Sequence, residues 1–180
     1  DIHHVLITHH HWDHYIDLDH LILTRWTFGV DAPLNVYGPT GQKQMIENML
    51  ATHRQDLEWR VVHQGTGRAL PKVEVHEIDE GMFAEFDGMK VSAFEVEHPP
   101  IDPAYGYKFV SKDRSIVLSG DTRPCENLIR HAHGVDVLVH ECMLLKSGVS
   151  TSSAWGDEDN RRKMMESYHT FPDKLGLVAR

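Results

Sequence analysis

Apolar residues recur along the chain with two spacings, one typical of strands and one typical of helices. Short apolar or alternating runs predict strands over residues 2–8, 34–37, 73–78, 82–86, 89–96, 105–110, 115–119 and 135–140. Apolar positions three and four apart predict helices over 15–26, 42–53, 125–132, 160–168 and 172–180. Strands dominate the middle and helices flank them, which predicts an α/β fold with two sheets packed face to face and helices outside.

Three further segments refine this pattern. The run 2–8 is mostly apolar, which predicts a strand buried on both faces, and the run 135–140 predicts a further buried strand. Asp87-Gly88, between two predicted strands, is a strong hairpin signal. Residues 56–68 predict a short helix followed by a loop, and the small, polar residues 147–160 predict a loop near the functional site or a mobile segment.

Composition places the chain among ordinary globular proteins. Hydrophobic residues make up 41% and charged residues 25% of 180 residues, enough for one domain with a sizeable core. No stretch is long and apolar enough to cross a membrane, which predicts a soluble protein, with the cytoplasm favoured. The formal net charge of −9 argues against an extensive nucleic-acid surface. We therefore expect a small-molecule or short anionic substrate, and a homodimer is compatible with these properties.

Histidine and cysteine usage favours metal chemistry over disulfide bonding. Fifteen histidines are an unusual number for this length. The two cysteines, Cys125 and Cys142, form no framework, and we expect each to be a small buried apolar side chain.

The segment Thr8-His9-His10-His11-Trp12-Asp13-His14 lies between a predicted strand and a predicted helix. His9 and His11 are two residues apart, so on an extended backbone they point the same way and can hold one metal ion. Asp13 and His14 follow at the turn, where they can face a second ion. Imidazole and carboxylate ligands suit zinc or another first-row divalent ion. A solvated polar turn is the alternative interpretation.

Four later residues are weaker candidates by themselves. His98 ends a predicted strand before two prolines, and Asp121 follows the apolar run 116–118 at the carboxyl end of another. A carboxylate there can bridge two metals, although an ordinary Asx turn would also fit. Glu141 follows the run 135–140, and His169 precedes the predicted helix 172–180. The alternative interpretations are a surface histidine at position 98 and a capping run around Thr170.

These residues carry a resemblance to a known family. Residues 8–14 after an apolar strand resemble the signature of the metallo-β-lactamase superfamily of hydrolases. Ser119-Gly120-Asp121-Thr122, followed by Arg123-Pro124, resembles the RNase Z group within it. The resemblance implies an αββα sandwich. It also implies that residues 1–180 are a single domain that lacks its first and last strands, as an interior excerpt would.

The resemblance implies a role for each candidate. It makes His98 the third ligand of the ion held by His9 and His11, and Asp121 the bridge to a second ion on Asp13 and His14. It makes Glu141 a hydrogen-bond partner of a ligand or catalytic histidine. It places His169 beside the leaving group, as a general acid. The family expects one further histidine beyond position 180, so His169 as a ligand, or a weakly bound second metal, are the alternatives.

The resulting hypothesis is a zinc-dependent hydrolase, with two divalent ions and a metal-bound hydroxide, in which Asp13 and His169 are catalytic. Zinc is favoured over manganese or iron. An RNase Z-like phosphodiesterase is favoured over a β-lactam, lactone or aryl sulfate hydrolase, and over a non-catalytic scaffold with an incomplete metal site. Transfer RNA is a less favoured substrate, because only residues 110–114 stand where many bacterial RNase Z enzymes carry a long basic arm.

Overall fold

The computed structural model describes residues 2–64, 67–145 and 157–179. The chain divides into two compact units, Asp1–Ile78 and Asp79–Arg180. In the described part of the chain, no helix has the length and the apolar character that a bilayer crossing needs.

The first unit is built on a three-stranded parallel sheet. Its strands β1 (His4–Leu6), β2 (Leu34–Gly38) and β3 (Val73–Glu77) lie in that order. Parallel neighbours need long connections, which here carry the helices α1 (Leu18–Thr27), α2 (Gln42–Thr52) and α3 (Arg54–Gln64). Apolar side chains from the sheet and from the first two helices form the core of this unit: Ile7, Leu18, Ile22, Leu34, Val36 and Ile46.

The second unit contains a five-stranded sheet. Its strands, in spatial order, are β4 (Gly81–Phe86), β5 (Met89–Glu95), β6 (Tyr105–Val110), β7 (Ser115–Leu118) and β8 (Val137–Val139). The first three pairings are antiparallel, and β7 pairs with β8 in parallel through the helix α4 (Glu126–Ala132). The helix α5 (Glu158–Glu166) follows, with the Asp157 side chain accepting a bond from the Asn160 N–H.

Local turn chemistry accounts for the best-predicted part of this sheet. Asp87 and Gly88 have φ values of 50° and 82°, which the two-residue turn between β4 and β5 requires. Gly106, in β6, allows the Phe94 ring to pack directly on the backbone, because a Cβ there would lie 2.6 Å from Phe94 Cε2. Phe94, Val96, Val117 and Leu128 are buried together in the core of this unit.

Four expectations about burial and about the extent of strands and helices are wrong. The strand expected over 2–8 is only three residues long and partly exposed. Within 135–140, only β8 is a strand, and Val137 and Val139 are 45% and 53% exposed, because β8 is the last strand of its sheet. Residues 172–180 form turns and a short 3₁₀ segment, Leu175–Leu177, because packing of the buried Phe171 and Val178 overrides the helical pattern. Cys142 is exposed on the segment after β8.

The loop predicted over 147–160 lies outside the described residues as far as position 156. From Glu158 onward the chain is helical.

Candidate metal centre

The histidine-rich segment of the first unit forms an extended stretch that ends in a tight turn. Residues Trp12–His14 form one 3₁₀ turn, in which the His14 N–H donates to the His11 carbonyl (3.1 Å) and the Tyr15 N–H to the Trp12 carbonyl (3.3 Å). This turn folds His14 back, so that its ring centroid lies 4.2 Å from that of His9. Local backbone geometry thus gathers three imidazoles from six consecutive residues.

His9 and His11 direct ring nitrogens at one another. His9 Nε2 lies 3.0 Å from His11 Nδ1, and His9 is fully buried. On its other side, His9 Nδ1 contacts the Thr8 hydroxyl at 3.0 Å, which orients the ring. Two nitrogens that converge in this way have the chemistry of a metal-binding pair.

The remaining residues of the segment differ in burial. Asp13 is largely exposed, and its Oδ2 lies 3.6 Å from His14 Nε2. His10 has a different neighbour, because its Nε2 lies 3.1 Å from Oε1 of the buried Gln42 on α2. His10 therefore anchors the segment to α2, while its neighbours carry the candidate ligand atoms.

In the second unit, His98 is buried and its tautomer is set by a backbone carbonyl. His98 Nδ1 lies 2.8 Å from the Tyr168 carbonyl oxygen, which can only accept a hydrogen bond. Nδ1 therefore carries the proton of the neutral ring, and Nε2 carries the lone pair. Metal-ligating histidines commonly donate the N–H of their other ring nitrogen to a backbone carbonyl or a carboxylate.

Asp121 and His169 lie close to His98. Gly120, with a φ of 63°, turns the chain after β7 and brings Asp121 to the end of the sheet. Asp121 Oδ2 is 3.9 Å from His169 Nδ1, and the His98 and His169 ring centroids are 5.1 Å apart. One ligand atom from each of these three residues lies within 4.8 Å of the others. Residues far apart in sequence thus form a group of two nitrogens and one oxygen that fits a divalent ion.

Glu141 lies directly behind His169. The two Glu141 oxygens are 2.9 and 3.0 Å from His169 Nδ1, and Oε1 also accepts the Thr122 N–H at 2.5 Å. Both side chains are nearly buried, with 12% and 11% exposure. The carboxylate holds the imidazole in one orientation and favours a protonated Nδ1.

Three hydroxyl side chains support this group through contacts that the sequence motifs did not predict. Thr122 and Thr170 are buried, and Thr170 Oγ1 donates to the Thr122 carbonyl at 2.7 Å, which joins the Asp121 and His169 segments. Ser119 Oγ accepts the Glu141 N–H at 3.2 Å and lies 2.8 Å from His140 Nδ1. Burial lowers the pKa of His140, while the neighbouring Glu141 carboxylate opposes that shift. These contacts depend on tertiary packing, so short sequence strings do not reveal them.

The family model for the beta-lactamase superfamily domain matches residues 1–166, which is all of the first unit and most of the second. The chain belongs to the beta-lactamase superfamily.

Ribonuclease Z proteins of two mycobacteria are similar to this chain in sequence. Ribonuclease Z of Mycobacterium sp. (strain KMS) is 41% identical over 76% of this chain, and ribonuclease Z of Mycobacterium bovis is 37% identical over the same share. The chain spans about half the length of these relatives, 48% and 50%.

Among solved structures, the short form of human tRNase Z has a TM-score of 0.65 and 21% identity, covering 98% of this chain and 67% of that one. The metallo-beta-lactamase fold protein YhfI from Bacillus subtilis also has a TM-score of 0.65, with 16% identity, covering 98% of this chain and 59% of that one. These likenesses confirm the metallo-β-lactamase fold that the motifs implied.

Ribonuclease Z and tRNase Z, the names of two of these relatives, refer to RNA. In this chain the connection between β6 and β7 is short, a turn in which the Ser111 N–H donates to the Arg114 carbonyl at 2.8 Å.

Proposed function

We propose that this chain carries the metal-binding part of a zinc-dependent hydrolase of phosphodiester bonds, similar to ribonuclease Z. The close grouping of His98, Asp121 and His169, with Glu141 behind His169, supports this proposal most directly. Superfamily membership and the identity to ribonuclease Z relatives add support from outside the site. In this proposal, residues 1–180 act as a single domain.

Two divalent ions, with zinc favoured, are part of this proposal. His9, His11 and His98 would hold one ion, Asp13 and His14 the other, and the Asp121 carboxylate would bridge them. When bound, such ions make water more acidic and polarise the ester under attack. The facing nitrogens of His9 and His11, and the tautomer that Tyr168 imposes on His98, fit this donor set.

We assign the proton-transfer steps to two residues of this chain, Asp13 and His169. Asp13 is exposed on the turn, so it can orient the attacking water and accept its proton. The Glu141 carboxylate accepts the Nδ1–H of His169, so a protonated His169 ring would release its other proton, the one on Nε2. We assign His169 the role of general acid toward the leaving oxygen.

The substrate that fits these observations is a short RNA or nucleotide phosphodiester. Divalent ions attract an anionic ester even though the formal net charge of the chain is −9. The short turn between β6 and β7 leaves no room at that position for a long basic arm. A large RNA substrate would therefore need contacts outside that connection.

Alanine substitution of the two proposed metal-site carboxylates tests this function. In the zinc-loaded protein, Asp13→Ala and Asp121→Ala should each abolish hydrolysis of bis-p-nitrophenyl phosphate and leave the circular dichroism spectrum unchanged. Asp113→Ala, on the exposed turn between β6 and β7, is the matched control and should keep activity. Full activity in both Asp13 and Asp121 variants would disprove the proposal.

A substrate panel and metal analysis separate the alternatives. Nitrocefin, a lactone and p-nitrophenyl sulfate report on β-lactam, lactone and aryl sulfate hydrolysis, and we expect the phosphodiester to be cleaved fastest. Metal analysis should give close to two zinc ions per chain. A chain with no bound zinc and no turnover would instead be a non-catalytic scaffold.

A further inference from the structure

Trp12 is a large aromatic side chain that the fold leaves in solvent. It is 67% exposed, whereas Trp26 of the same unit is only 3% exposed and donates its Nε1–H to the Ala69 carbonyl at 2.8 Å. Tryptophan carries a large apolar surface, and burying that surface is favourable. Trp12 is therefore not part of the core, and its indole ring is accessible to a ligand.

The position of Trp12 ties it to the proposed chemistry. It stands between His11 and Asp13, both proposed metal ligands, and consecutive Cα atoms are only about 3.8 Å apart. Its backbone begins the 3₁₀ turn, where its carbonyl accepts the Tyr15 N–H at 3.3 Å. A hydrogen-bonded turn thus holds the backbone of Trp12 between two of the proposed ligands.

The charge around this turn makes stacking the suitable form of substrate recognition. Residues 12–17 include no lysine or arginine, and the two carboxylates on or just after the turn, Asp13 and Asp17, are exposed. A nucleobase has a neutral flat face, and aromatic side chains stack on any of the four bases. An indole can therefore supply affinity for a nucleotide where basic side chains do not.

We propose that Trp12 stacks on the nucleobase next to the scissile phosphodiester and so determines a preference for nucleotide substrates. This inference rests on the proposed hydrolase function and extends it to the substrate class. Trp12 has no bond-making role here, because its contribution is to bind and position the base.

Equilibrium binding tests the inference without turnover. Calorimetric titration of the zinc-loaded chain should show uridine 5′-monophosphate binding about tenfold more tightly than ribose 5-phosphate. Trp12→Leu keeps an apolar side chain without an aromatic face, and should remove this preference. Trp12→Phe should keep most of it. Trp59→Ala is the matched control, because Trp59 is 64% exposed but lies on α3.

Kinetics with paired substrates separates this inference from the proposed function. For a uridine dinucleotide and its abasic analogue, Trp12→Leu should lower the ratio of the two kcat/KM values about tenfold, mainly through KM. If the wild type prefers the nucleotide and Trp12→Leu keeps that preference, the role of Trp12 is disproved while the hydrolase function stands. If the wild type cleaves neither dinucleotide, the phosphodiesterase function fails, and the calorimetric comparison alone decides whether Trp12 binds a base.

Discussion

The Nδ1 of His169 lies 2.9 Å from Oε2 of Glu141, and the two residues are 28 positions apart in the chain. A carboxylate only accepts hydrogen bonds, so Nδ1–H is the donor and Nε2 is the atom that exchanges its proton or lone pair. The Thr122 N–H holds the same carboxylate from the other side. This contact gives His169 a fixed orientation, which a general acid needs.

The role of His169 can be tested by changing the leaving group. We expect His169→Ala to slow cleavage of a uridine dinucleotide by about 10²–10⁴-fold, because its alkoxide leaving group needs a proton. Cleavage of bis-p-nitrophenyl phosphate should slow far less, because p-nitrophenolate leaves without one. His133→Ala, at the exposed end of α4, is the control. Equal losses on both substrates, accompanied by loss of zinc, would show that His169 is a metal ligand.

Removing the charge of Glu141 should weaken the same step. Glu141→Gln keeps an oxygen for the Thr122 N–H but no longer stabilises a protonated His169. We expect dinucleotide cleavage to fall by about 10–100-fold, as for other residues that orient an active-site histidine. Steady-state kinetics on this substrate and on bis-p-nitrophenyl phosphate is the measurement, with Glu126→Gln as control. A variant as active as the wild type would mean that Glu141 has only a structural role.

Gly106 is the position where a single methyl group should be most costly to the second sheet. An alanine Cβ would lie 2.6 Å from Phe94 Cε2 and 3.0 Å from the Leu118 carbonyl oxygen. We expect Gly106→Ala to lower the free energy of unfolding by about 1–3 kcal/mol. Urea denaturation measures this, and Phe94→Leu in the same chain should recover part of the loss. Gly176→Ala, where nothing lies within 4 Å, should change stability little.

His131 makes stability depend on pH. Its ring stacks on Phe94 with centroids 4.4 Å apart, and burial, with Lys108 and Arg130 nearby, lowers its pKa below 6.5, against a smaller opposing effect of Glu80. The unfolded chain therefore takes up the proton first, and the stability supplied by the neutral ring is lost as pH falls below about 6.5. His131→Phe keeps the stacking without titrating.

Urea denaturation of both proteins between pH 8 and pH 5 measures this effect. The wild type should lose more stability than His131→Phe as the pH falls, and the difference between them is attributable to His131. Parallel curves for the two proteins across this range would contradict the assignment.

Local chemistry made part of this molecule predictable. The hairpin at Asp87-Gly88 follows from residues that accept a positive φ, and α2 follows from its regular apolar spacing. The turn after β1 was expected to gather histidines because residues two apart on an extended chain share a side. His9 and His11 lie 3.0 Å apart at their ring nitrogens, in keeping with that periodicity.

Other features were decided only by packing between distant segments. Apolar composition alone suggested a buried strand at residues 135–140, yet β8 ends its sheet and stays half exposed. Similarly, the spacing over 172–180 suggested a helix, but burial of Phe171 and Val178 produced turns. The pattern of apolar side chains shows which residues of a segment could be buried. The position of the segment in the folded protein determines which of them are buried.

The sequence by itself determined the superfamily and the elements that carry the candidate ligands, because these depend on residue identity and short spacings. Only the tertiary structure brought Glu141 to His169 and the Tyr168 carbonyl to His98. Hydrogen bonds between residues tens of positions apart form only after the strands and loops have packed, and no local periodicity encodes them.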